Sequence, residues 1–351
     1  MIQTTECQIK NVSAHIIGNK YNGEELILSN KDLDISDPAL NEILQQYFLG
    51  HFNSPAFYSF KITNEEGLDN PLFNLAKEIF NNKEISFHEY SKNIAKLLFE
   101  NSEHPNIKAG ELYVVLIRDV LVEDELTDAI GLFKSENKQP FLKAISEDNN
   151  IQLNYDHGVN IEKLDKGCLI CNTNEAGGYK LAVIDKTNKG EEAKFWKEKF
   201  LQIKPCADNY HFTESFMKAT KKFVTSKAMD DSFEIEKADK IDMLNSSVQY
   251  FRDNDEFNEN EYASQVFKDE AVANSFQEFR REYQEQNNLP VVDEFEISEP
   301  AVKKQSRIMR SVLKLDKNFH VYIHGDKRLI EKGYDEEKGK SFYKIYFDEE
   351  K

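Results

Sequence analysis

Residues Glu111–Val120 read ELYVVLIRDV, and the fold class turns on this run. It is dominated by β-branched, aromatic and other apolar side chains, the composition of a strand. Five later segments share that character: Thr127–Lys134, Phe141–Ile145, Ile151–Tyr155, Cys168–Asn172 and Tyr179–Ile184. Each is short and separated from the next by polar or Gly-containing turns. Gly177-Gly178 suits a hairpin between the last two. The pattern predicts a largely antiparallel sheet.

Upstream, Cys7–Ile17 alternates as a strand does, and Glu25–Ser29 reads as a second strand. Asp37-Pro38 then opens a helix, with Asp as cap and Pro tolerated in the first turn. Its apolar set is Leu40, Ile43, Leu44, Tyr47 and Phe48, at the three-and-four spacing of a buried face. Pro71–Phe80 and Phe87–Glu100 predict two more helices. Helices followed by a block of strands make the class α+β, a mainly antiparallel sheet packed on the earlier helices.

Downstream, Glu192–Ile203 reads as helical in part, with Pro205 breaking it. Thr213 is the expected cap of the next helix. Phe212, Phe216, Thr220, Phe223 and Val224 mark one face of that helix, and Lys218, Lys221 and Lys222 fall away from it. From Ser226 to Pro300 the composition changes: 7 Lys and Arg stand against 20 Asp and Glu, about −13. Met243–Phe251 and Tyr262–Tyr283 are its helical segments. Asn318–His324 and Ser341–Phe347 read as strands of a small terminal β unit. Two domains are expected, an α+β domain over residues 1–227 and a helical one over 228–351 ending in that unit.

The chain has 351 residues and a net charge of −18, so net charge alone does not draw it to nucleic acid. Against that background Ala301–Gly333 is a basic island. It carries Lys303, Lys304, Arg307, Arg310, Lys314, Lys317, Lys327, Arg328 and Lys332 against Asp316, Asp326 and Glu331, roughly +6. Such a cluster releases counterions on docking to a polyanion and is a candidate DNA contact, joined by the lysines at 218, 221 and 222. The plainer account of either stripe is a solvated outer face. The acidic stretch equally suits a basic protein partner. No run approaches the ~20 apolar residues of a membrane span, and Met1–Ile17 lacks the charged and apolar regions of a secretory signal. A cytoplasmic setting is expected.

No catalytic motif stands out, and no cofactor or metal is expected. Cys168-Leu-Ile-Cys171 has half-site zinc spacing, but on a strand those positions point to opposite faces. His320 and His324 share a strand face with Tyr322, which is compatible with a metal pair or a stacking surface. Asp128, followed by Glu136-Asn-Lys138, superficially resembles the acid and acid-x-Lys layout of metal-dependent nucleases. The pattern is short and degenerate in a chain rich in Glu and Lys.

Four stretches, taken in order, resemble the bacterial nucleoid-associated protein family of the NdpA/YejK type. They are Ile9–Ile17, with His15 after a small residue; Tyr113–Ile117 followed by Asp128–Lys138; Tyr179 through Phe200–Lys204 to Phe212–Phe216; and Arg307 through Phe319–Ile323 to Tyr343–Phe347. Where that family often carries a Gly- and Arg-containing step after the Phe-Leu segment, this chain reads Lys204-Pro-Cys-Ala-Asp208, which leaves Lys204 as the only positive charge there. The resemblance implies a non-catalytic DNA-binding protein of the nucleoid and supplies no site residues. Mainly phosphate contacts and low sequence specificity are then expected. DNA is reached directly or through a basic nucleoid protein, and a homodimer is allowed.

Overall fold

The run ELYVVLIRDV lies within one long strand, Gly110–Val122, near the middle of a nine-stranded antiparallel sheet. The computed structural model describes every residue except 1, 5–6, 53–55, 63–69, 82–84, 124, 148–149, 186–194, 227–228, 230–232, 234, 236, 287–291, 310–311, 316–318, 323–328 and 350–351. The side chains of 147, 237–238, 312–315, 319–320 and 322 are likewise outside the description. The described residues fall into two compact units, Met1–Cys206 and Ala207–Lys351.

In the first unit the strands are β1 (Ile2–Gln3), β2 (Gln8–Ile17), β3 (Leu26–Ile27), β4 (Phe57–Phe60), β5 (Gly110–Val122), β6 (Glu125–Ser135), β7 (Lys138–Glu147), β8 (Asn150–Val159), β9 (Lys166–Cys171), β10 (Lys180–Asp185) and β11 (Ile203–Pro205). The sheet order is β11-β4-β10-β9-β6-β5-β2-β3, with β1 also on β5. Three helices, α1 (Pro38–Leu49), α2 (Pro71–Asn81) and α3 (Phe87–Glu100), cover its two faces. Leu112, Val114, Ile130, Leu132, Cys168, Ile170 and Leu181 form one face and pack with Leu72 and Ala76 of α2 and Ile94 and Leu98 of α3. Val115, Ile117, Ala129, Phe133, Leu169, Cys171 and Ala182 form the other and pack with Tyr47, Phe48 and Leu49 of α1. A strand buried on both faces has no polar side to show, which is why Tyr113–Ile117 is apolar without alternation. Cys168 and Cys171 do point to opposite faces.

Local signals explain the helix starts. The Asp37 side chain accepts from the Ala39 N–H at 2.9 Å, and Pro38 occupies the first turn. Leu40 and Ile43 remain exposed, however, so α1 buries only its C-terminal half. Ser86 caps α3. Phe195–Phe200 is a π-helical turn with Phe195, Trp196 and Phe200 buried. Pro205 ends the edge strand β11 instead of breaking a helix, and an edge tolerates its missing N–H. Phe141–Ile145 and Ile151–Tyr155, expected in the sheet, form the separate two-stranded ribbon β7–β8.

The second unit holds α4 (Asn209–Val224), α5 (Lys237–Asp253), α6 (Glu259–Val266), α7 (Glu270–Gln286) and α8 (Glu299–Ile308). Short antiparallel pairs join them: β12 (Glu256–Asn258) with β13 (Glu294–Glu296), β14 (Val312–Leu315) with β15 (Phe319–Tyr322), and β16 (Ile330–Asp335) with β17 (Lys340–Ile345). Phe216 centres the core, with Phe251, Phe257, Tyr262 and Phe276 at ring-centroid distances of 4.3 to 5.9 Å. Asp208, not Thr213, caps α4, accepting from the His211 N–H at 2.9 Å. Thr213 sits a turn inside, where its hydroxyl donates to the Asn209 carbonyl and accepts from the Ser298 N–H. The single helix read over Tyr262–Tyr283 is two, α6 and α7. Among the described residues no helix is long and apolar enough to cross a membrane.

Candidate nucleic-acid interface

The apolar face of α4 directs its lysines outward. Phe216, Thr220 and Phe223 are buried, Lys218 and Lys222 are exposed, and Lys221 is half-buried. The apolar face of α8 does the same: Ala301, Val302, Gln305 and Ser306 are buried, and Lys303, Lys304 and Arg307 are exposed. The two helices pack together, so the two basic stripes meet within one unit.

Most of that charge is already partnered. Glu214 of α4 accepts from Lys304 Nζ at 2.7 Å through one oxygen and pairs with Lys218 Nζ at 2.9 Å through the other. Gln305 also donates to Glu214, at 3.1 Å, and Lys304 reaches the Tyr210 hydroxyl at 3.1 Å. Burial alone would push the Glu214 carboxyl up, but Lys218 and Lys304 outweigh it and hold it at about 2. Burial would likewise lower Lys304, and Glu214 outweighs it and raises the ammonium instead. Lys221 Nζ donates to the Ile308 carbonyl at 2.7 Å, satisfying an acceptor at the end of α8. Lys222 lies over the Tyr283 ring, 5.2 Å from its centroid.

Lys303 and Arg307 are different. One turn apart on α8, they line a cleft of about 640 Å³ with Arg252 from the last turn of α5. Asn254 and Ser306 add polar groups, and Asp255 and Glu299 add two carboxylates. Among the described residues none of the three cations is in an ion pair. Arg252 was not visible as a candidate because it sits inside the acidic stretch. Its one signal is being the only basic residue in the last turn of its helix. Arg310, Lys317, Lys327 and Arg328 lie outside the described residues. Lys314 is on β14 opposite His320 of β15, its side chain undescribed. His324 is also outside.

A family model described as nucleoid-associated protein YejK matches residues 13–349, from within β2 to past β17. The chain belongs to the YejK family. The match takes in both units, and none of the curated proteins matches. Membership carries nucleoid association as the attribute of the family; the residues that act must be read from geometry.

In this YejK-family chain the nuclease-like residues do not converge. Asp128 lies in the first half of β6 and Glu136 just past its end, about 26 Å apart along an extended chain. Asp128 is ion-paired to Arg118 on β5, and Lys138 to Glu111 at 2.6 Å. Glu136 is buried against Lys134 at 2.9 Å and Lys166 at 3.6 Å. A second cluster brings together Ser13, Asp32 and His88, but both Ser13 and Asp32 face the same ring nitrogen, Nδ1, at 3.1 and 3.2 Å. A nucleophile triad needs them on opposite nitrogens, and His88 Nε2 faces the Ser29 carbonyl at 2.9 Å. Among the described residues no group of three or more His, Cys, Asp or Glu is placed to hold a metal ion.

Proposed function

We propose that this chain binds duplex DNA without catalysis, through phosphate contacts made by Arg252, Lys303 and Arg307. The observation that carries the reading is their convergence from two helices into one cleft, outside any ion pair among the described residues, while Lys218 and Lys304 share the Glu214 carboxylate. Ammonium and guanidinium groups so placed take up phosphate oxygens and release condensed counterions. The cleft is short and carries Asp255 and Glu299, so affinity is modest and strongly salt-dependent. Phosphate contacts carry no sequence information, and low specificity follows.

The test is fluorescence anisotropy with a labelled duplex between 50 and 200 mM salt. Three phosphate contacts give a slope of about −3 in log K against log salt. The triple variant Arg252→Glu, Lys303→Glu, Arg307→Glu is expected to flatten that slope and weaken binding at least tenfold. Unchanged binding by a folded variant rejects the cleft. If the purified protein has no DNA affinity but retains a basic partner from nuclease-treated lysate, an adaptor role replaces direct binding, with the acidic stretch 226–300 engaging that partner.

A further inference from the structure

Apart from Val159 at its base, the ribbon β7–β8 takes no part in the core of its own unit. Every described residue of 138–146 and 150–157 is exposed. A two-stranded hairpin alone in water is marginally stable at best, and about ten residues per strand make this one some 34 Å long. Its register sorts its side chains by face. Leu142 pairs with Tyr155, Ala144 with Leu153 and Ser146 with Ile151, so all six share one face. Leu142, Ile151, Leu153 and Tyr155 are 67 to 77% exposed. Lys143 and Asp156, in an ion pair at 2.9 Å, belong to the opposite face.

We propose that this arm is a self-association element, and that a second copy of this chain packs its own arm against it, face to face. Three features select that occupant. The face is shaped to fit itself: on β8 the bulky row Ile151, Leu153, Tyr155 stands beside the shallow row Ala144, Ser146 on β7. A two-fold axis sets the ridge of each copy into the shallow row of the other, as an isologous interface requires. From Pro140 to the tip the face carries no Asp, Glu, Lys or Arg, and Lys138 at its base is paired with Glu111 at 2.6 Å, so two chains of net charge −18 meet there without opposing like charges. With its one lysine held by Glu111 at the base, the apolar part of the face has no cation to hold phosphate, which sets DNA aside as the occupant. Finally the area is sufficient. Four side chains presenting about 100–150 Å² each bury about 1,000 Å² over two copies, the floor for a specific interface.

The experiment is multi-angle light scattering of the full chain from 1 to 100 μM, beside hydrogen exchange of the arm amides. The wild type is expected at the mass of two chains, with arm protection rising with concentration. Leu142→Asp combined with Leu153→Asp is expected at the mass of one chain, with its melting transition retained. Gln152→Glu on the opposite face is expected to stay at two. A one-chain mass for the wild type at 100 μM, or a two-chain mass in the double variant, overturns the proposal. Should the double variant fail to fold, wild-type arm protection that does not change with concentration overturns it equally.

Discussion

Glu214 on α4 accepts a 2.7 Å hydrogen bond from Lys304 on α8, a residue 90 positions later in the chain. That contact binds two helices together and decides which lysines are available to a polyanion. Replacing the carboxylate by an amide releases both Lys304 and Lys218. In Glu214→Gln the salt dependence of DNA binding is expected to steepen by up to about 2 in log–log slope. The melting temperature should fall, since a charge-assisted bond contributes about 1.5–3 kcal/mol. An unchanged slope would mean that neither lysine reaches phosphate.

Arg252 gives an independent test of the cleft because it comes from α5, not from the basic island. Arg252→Ala removes one contact and no buried atoms, so stability should change by less than about 0.5 kcal/mol. The slope is expected to shallow by about 1, equally for every duplex sequence tried. A sequence-dependent loss would argue that Arg252 reads a base edge.

Much of this arrangement is legible in the sequence. Asp37-Pro38 marked a helix start because capping chemistry is local, and ELYVVLIRDV marked a strand because its side chains suit a pleated, buried surface. The ribbon was not separable from the sheet, since pairing partners are chosen by tertiary packing and β7 and β8 carry strand composition either way. The acidic turn in composition at Ser226 records a change of surface, whereas compactness follows the core, and α4 contributes Phe216 to the second one. The charge island was visible as a sum. Its partition into Lys304, held by Glu214, and Lys303, in no ion pair among the described residues, depends on Glu214, which no local pattern connects to it.

Glu136 is the residue on which a metal-nuclease reading and the structure differ most. As a metal ligand, its loss would abolish cleavage and leave the fold alone. As the shared counter-ion of buried Lys134 and Lys166, its loss strands ammonium charge out of water. Burial already lowers the Lys134 pKa even with Glu136 present. Glu136→Ala is expected to cost about 3–5 kcal/mol, lowering the melting temperature by on the order of 10 °C. Lys134→Met combined with Glu136→Leu, which keeps the 3.1 Å Lys166–Asp185 pair, should recover most of that loss. Wild-type stability in Glu136→Ala would refute the counter-ion role.

Acid should unfold the first unit through His15. The ring bridges β2 to α3, with Nε2 2.8 Å from the Ser91 hydroxyl and Nδ1 accepting from the Ser29 N–H at 3.2 Å. Burial, then the nearby His88 and Lys92, bring its pKa down to about 4 although Asp32 pulls the other way. In the unfolded chain the ring titrates near 6.5, so between these values the unfolded state binds the proton and the folded state does not. The stability associated with the neutral ring is therefore complete above about pH 6.5 and falls as pH drops towards 4, at no more than about 1.4 kcal/mol per unit. In the second unit Glu214 has its own, lower window, its contribution present above about 4.3 and lost towards its folded value near 2. Urea unfolding from pH 7 to 4 should show the upper loss in the wild type. His15→Gln cannot take up that proton, and its profile should be flatter over the same range whatever its starting stability. An identical slope in the two proteins would assign the acid sensitivity to another group.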